Sequence, residues 1–88
     1  MLTVKKDRLE ELTKLGFENR VTVYTKKMRE SEINVNVITG TFYVYMSSFV
    51  FEDFISEMTR ISNALLADRH DVNIMIDILR EKGLIKSE

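Results

Sequence analysis

Cysteine, proline and tryptophan are absent from these 88 residues, histidine occurs once, and glycine only three times. Without cysteine there is no disulfide framework, and a lone histidine leaves a structural zinc site without a ligand set. No charge excess exists either: 13 basic residues face 14 acidic ones, a formal net charge of −1. A dedicated nucleic-acid binder usually shows a marked basic surplus, so the balance argues against that class. No run approaches the roughly 20 apolar residues that span a bilayer. The opening Met1–Asp7 lacks a signal-peptide core as well. The expectation is a soluble, cytoplasmic protein, and the lack of cysteine fits a reducing compartment.

What is present suits one folded domain over residues 1–88, with 44% hydrophobic and 31% charged residues. A chain of this length buries only about 60–65% of the surface its unfolded form exposes. Small domains often add disulfides, a metal or oligomerisation. With the first two removed, association with a partner or with itself is the remaining route.

Gly16, Gly40 and Gly83 punctuate the chain. Before Gly16, Leu9, Leu12 and Leu15 predict a surface helix over Val4–Leu15. Three strands follow, at Val21–Thr25, Ile33–Ile38 and Thr41–Met46, each rich in β-branched or aromatic residues. A two-residue turn at Thr39-Gly40 pairs Val37 with Phe42, Val35 with Val44, and Ile33 with Met46, gathering six apolar side chains on one face. Ser47 and Ser48 predict the cap of a second helix, Phe49–Ala67, whose Phe51, Phe54, Ile55, Met58, Ile61 and Leu65 follow helical spacing. Asp68-Arg69-His70 reads as a link, and Asp71 as the cap of a third helix that stops at Lys82-Gly83-Leu84. The fold expected is α+β: a three-stranded antiparallel sheet with helices packed on one face, in the order α-β-β-β-α-α.

Catalytic equipment is missing from this pattern. His70 has acids beside it but no nucleophile or second histidine, and such residue types serve equally as caps and turns. No Gly-rich phosphate loop or paired-ligand spacing appears. The expectation is therefore no enzyme, no cofactor and no metal.

Surfaces carry the functional expectation instead. Tyr43 and Tyr45 should project beside Asn34 and Asn36 on the outer sheet face, and the second helix presents Glu52, Asp53 and Glu57. These seven are the candidate partner-binding residues, the acidic trio suiting a basic partner. Tyr24 joining the tyrosine face, with Lys26, Lys27 and Arg29 following, makes a second candidate, a single-stranded nucleic-acid platform of aromatics flanked by cations. Ile74 and Ile78 widen the apolar arc of the third helix beyond what a one-sided helix needs, which fits either a corner position against the first and second helices or a self-association or partner surface, the latter implying a homodimer.

The order of elements, the chain length and the segment Glu52-Asp53-Phe54-Ile55-Ser56 opening the second helix resemble the small type II-A anti-CRISPR inhibitors made by phages. The resemblance implies a non-enzymatic inhibitor that binds a host nucleic-acid-handling machine. It does not imply DNA mimicry, because this chain is nearly neutral, and it assigns no binding residue.

Overall fold

The computed structural model describes the backbone of residues 1–46 and 54–88 and the side chains of 1–46 and 60–88. Its elements are β1 (Thr3–Val4), a 3-10 turn (Lys6–Arg8), α1 (Glu11–Lys14), β2 (Glu18–Asn19), β3 (Val23–Lys27), β4 (Ser31–Asn36), β5 (Phe42–Met46), α2 (Phe54–Glu81) and β6 (Ile85–Ser87). The class is α+β, with two antiparallel sheets: a four-stranded one in the order β2-β3-β4-β5, and a two-stranded one of β1 and β6. The expected three-stranded sheet is thus one strand short, and one long helix replaces the expected second and third.

The expected first helix shrinks to a 3-10 turn and the single turn of α1. Backbone pairing takes its beginning: Val4 donates its N–H to the Gly40 carbonyl at 2.8 Å, and Lys5 donates to the Leu84 carbonyl at 2.8 Å. The leucine stripe still does its packing, with Leu9 and Leu12 buried and Leu15 half-buried. Gly40 makes this junction possible. Its φ is +75°, and a Cβ there would stand 2.3 Å from the Val4 carbonyl oxygen, so no other residue fits without moving β1.

The β4–β5 hairpin keeps the expected faces but slides by two residues. Val35 pairs with Phe42, Ile33 with Val44, and Ser31 with Met46. Asn36 causes the slide. Its side-chain oxygen accepts the N–H groups of Ile38 (2.8 Å) and Thr39 (3.0 Å), an Asx turn that opens a longer loop than the two-residue turn expected. Because the shift is even, the apolar set stays on one face. The first long strand runs over Val23–Lys27 rather than Val21–Thr25, and Tyr24 sits opposite Val35.

The break expected at Asp68-Arg69-His70 does not exist, because the Asp68 carboxylate is used elsewhere. It accepts the N–H of Arg29 at 3.0 Å, of Glu30 at 2.9 Å and of Ser31 at 3.1 Å, together with the Ser31 hydroxyl at 2.8 Å. Asp68 therefore ties the β3–β4 turn to α2, and Asp71, expected as the cap of a third helix, instead lies within α2 and accepts from Arg29. Arg29 spans Asp68 and Asp71, one turn apart on α2, and Arg60 reaches Glu30 in the same turn. Helix α2 ends where expected. Gly83 donates to the Arg80 carbonyl and Leu84 to the Leu79 carbonyl, the paired bonds of a Schellman stop, with Leu79 and Leu84 both fully buried.

The core lies at the C-terminal half of α2. Met75, Leu79 and Leu84 pack with Val4, Leu9, Leu12, Phe17, Tyr24, Ile33, Val35 and Phe42. A helix of 28 residues is about 42 Å long, close to the 45 Å longest dimension of the molecule. The radius of gyration, 14.3 Å, exceeds the roughly 12 Å of a compact chain of this length. Helix α2 thus runs nearly the length of the molecule, with its C-terminal half in the core.

Candidate functional site

Strand β5 is the last strand of the four-stranded sheet. Four consecutive side chains, Tyr43, Val44, Tyr45 and Met46, are 41% to 52% exposed. In a strand successive side chains point to opposite faces, so both faces are open here. None of Phe42–Met46 is charged.

The backbone of β5 is partly unpaired. Phe42 donates its N–H away from β4, to the Leu2 carbonyl at 3.0 Å, while the Thr41 carbonyl faces β4 and accepts from Asn36. N–H and C=O groups alternate in direction along an antiparallel strand. Tyr43 and Tyr45 therefore serve the ladder with β4, and Val44 and Met46 direct theirs outward. Beyond the bridge of Thr3 to Thr41, no strand lies against that edge among the described residues.

On the helix side of this edge, Val44 and Met46 border a groove of about 280 Å³ completed by Ser31, Leu65, Asp68, Arg69 and Val72. Its floor is apolar and Arg69 stands at its rim, exposed. On the other face Tyr45 adjoins a cleft of about 320 Å³, lined by Arg20, Lys27, Arg29, Glu30 and Glu32 among others. The charges there are mixed. Arg20 contacts Glu18 at 3.4 Å, and the hydrogen bond to Asp71 leads the causes that raise the pKa of Arg29 above its ordinary value.

Asp68 fixes the ground between these openings. It is 2% exposed, and burial pushes its carboxyl up. The amides of Glu30 and Arg29, the Ser31 hydroxyl and the Arg29 guanidinium outweigh that, holding it below its ordinary 3.8. An ionised, fully bonded carboxylate thus fastens the β3–β4 turn to α2.

The expected site residues disperse. Tyr43 and Tyr45 share the outer face as expected, both exposed. Asn34 lies on that face too but is buried, accepting the Thr25 hydroxyl at 2.6 Å, and Asn36 is taken up by its turn. Tyr24 does not join the tyrosines. The register puts it beside Val35 and Phe42 on the core face, where it is only 6% exposed. Lys26 also leaves the expected cation row: it shares the core face with Ile33, and its ammonium lies 2.7 Å from where a Gly16 Cβ would stand. Lys27 and Arg29 do come together beside Tyr45. Glu52 and Asp53 lie outside the described residues, as does the side chain of Glu57. Ile74 is exposed and borders a groove with Met28, Ile33 and Met75, whereas Ile78 is half-buried. His70 is exposed in mid-helix. No group of three or more His, Cys, Asp or Glu able to hold a metal occurs among the described residues, and none of the helices described is long and apolar enough to cross a membrane.

Sequence reasoning missed Val44 and Met46 as surface, Arg20 as a neighbour of Lys27, and Asp68 as the clamp. The first had a signal: an uncharged strand at the end of a hairpin series is an edge without protection. No family model, curated protein or solved structure matches this chain.

Proposed function

We propose that this chain is a non-enzymatic protein-interaction domain, and that its partner adds an extended segment along the open edge of β5. One observation carries the reading. The N–H and C=O groups of Val44 and Met46 point outward from an uncharged strand whose side chains are exposed on both faces. Strand addition uses such an edge: main-chain bonds supply affinity, and pockets for alternate side chains supply specificity. The Val44–Met46–Leu65–Val72 groove and the Tyr43/Tyr45 face are those two pockets. A host nucleic-acid-handling machine, of the CRISPR type suggested by chain length and the Glu52–Ser56 segment, is the first partner class to test.

Hydrogen exchange on a complex recovered from the source organism tests the reading. The amides of Val44 and Met46 should slow at least tenfold on binding. Val44→Lys should weaken binding at least tenfold without unfolding the chain. A complex that leaves those amides unchanged and tolerates the lysine would remove the β5 edge from consideration.

A second reading has its own observation, the convergence of Arg20, Lys27 and Arg29 on a cleft beside Tyr45. Single-stranded nucleic acid could stack on the tyrosine while the cations meet phosphates. Its binding should fall steeply between low and physiological salt, unlike strand addition. Unchanged binding in the Tyr43→Ala, Tyr45→Ala double variant would rule it out.

A further inference from the structure

We propose that a second copy of this chain occupies the β5 edge when no partner does, forming a two-fold dimer with one continuous eight-stranded sheet. The inference rests on the reading of β5 as the binding edge and names its resident competitor.

Hydrogen-bond direction selects a single register. Phe42 already spends its outward N–H on Leu2, so an antiparallel copy centred on Val44, which would need Phe42, meets an occupied group. Centring on Met46 engages, among the described residues, only Met46 of each copy. Centring on Tyr45 places Val44 opposite Met46 of the second copy, and Met46 opposite its Val44. Each free N–H then meets a free C=O, and each such pair exchanges two main-chain bonds.

Side chains agree with that register. A two-fold axis sets the central residue against itself, so a charge there would repel its own copy. The central residue is Tyr45, which is neutral, and no residue from Phe42 to Met46 is charged. On the helix side, Val44 and Met46 of the two copies meet in a cross-strand apolar set continuous with Leu65 and Val72. The near-zero formal charge of −1 adds almost no long-range repulsion. The opposite edge offers no such fit, since β2 is two residues long and carries Glu18. Self-pairing and partner addition use the same N–H and C=O groups, so the two are mutually exclusive, and dimerisation regulates access to the edge.

The absence of cysteine gives a clean test. Tyr45→Cys places two thiols across the axis at a non-hydrogen-bonded pair, where side chains approach closely enough for a disulfide. Mild oxidation should link this variant into dimers, while Tyr43→Cys, displaced from the axis by two residues in each copy, should not link. Sedimentation equilibrium of the unmodified protein should show a concentration-dependent dimer, and Val44→Pro, which removes one outward donor, should raise its dissociation constant at least tenfold. A monomer at millimolar concentration, or equal cross-linking of the two cysteine variants, overturns the proposal. If the Val44 and Met46 amides are nevertheless protected in a heterologous complex, self-pairing alone has failed and strand addition stands. If the dimer forms but no partner protects those amides, self-pairing stands and the partner reading falls.

Discussion

The two edges of the four-stranded sheet are built in opposite ways. At one, β2 is two residues long, holds Glu18 and Asn19, and runs into a tight turn where Asn19 accepts the Val21 N–H and Arg20 sits by Glu18. At the other, β5 is five residues long, uncharged and exposed on both faces. Shortness and charge are the usual devices by which a sheet edge is kept from pairing with other chains. This sequence applies both at β2 and neither at β5. The β5 edge, uncovered by any described strand beyond Thr41, is therefore the one the proposed partner would use.

The strongest way to break the contrast is to loosen the strands between the edges. Both depend on β3 and β4, whose connecting turn is pinned by Asp68. Asp68→Asn removes the charge and turns one acceptor into a donor facing backbone N–H groups, so a loss of about 3 kcal/mol is expected in urea unfolding. The pH dependence separates this clamp from generic packing. Because the Asp68 carboxyl is held below 3.8 in the folded state, its contribution is full at neutral pH. It is lost as pH falls from about 4 through the folded-state value. The stability gap between the wild type and Asp68→Asn should therefore narrow in acid. A gap independent of pH would mean that the carboxylate is not the clamp.

Gly40→Ala tests the covered part of the β5 edge. The new methyl would collide with the Val4 carbonyl, and both the clash and the positive φ act against the fold, costing about 2–3 kcal/mol. Displacing β1 would also free the outward N–H of Phe42 and lengthen the open edge. Thermal melting should show the loss, and sedimentation at a temperature where the variant stays folded should show tighter self-association. Melting that drops without tighter association would show that β1 does not limit the edge.

The contrast between edges was half legible in the sequence. The uncharged run Thr41–Met46 and its alternation could be read directly, and so could the stop at Gly83, because both are local patterns. Pairing of β1 with β6 could not, since it joins Thr3 to Ser87 through strands too short to show periodicity. The false break in α2 has a similar cause. Asp68 and Asp71 carry the chemistry of caps, and only the arrival of the β3–β4 turn, some 37 to 39 residues away in sequence, decides that Asp68 serves another element. Tyr24 was misplaced because its face depends on the β3 register, which the turn at Met28–Ser31 sets. Local signals fixed element type and face parity within the hairpin, while long-range bonds chose which edge stayed open.

The smallest expected effect lies at the protected edge. Val21 is 85% exposed and has a φ of +71°, a conformation in which a β-branched residue is strained by about 1–2 kcal/mol. It lies in a turn where Thr22 donates to the Arg20 carbonyl at 2.8 Å, so the turn geometry, not packing of the valine, holds it there. Val21→Gly removes the strain, and glycine's greater freedom in the unfolded chain returns about 0.5–1 kcal/mol of that gain. The net expectation is a stabilisation below about 1 kcal/mol, read as a small rise in melting temperature, with self-association unchanged because β5 is untouched. A variant that melts higher but associates differently would tie the two edges together through the sheet. One that melts lower would show that the valine side chain, despite its exposure, contributes more to the fold than its backbone strain removes.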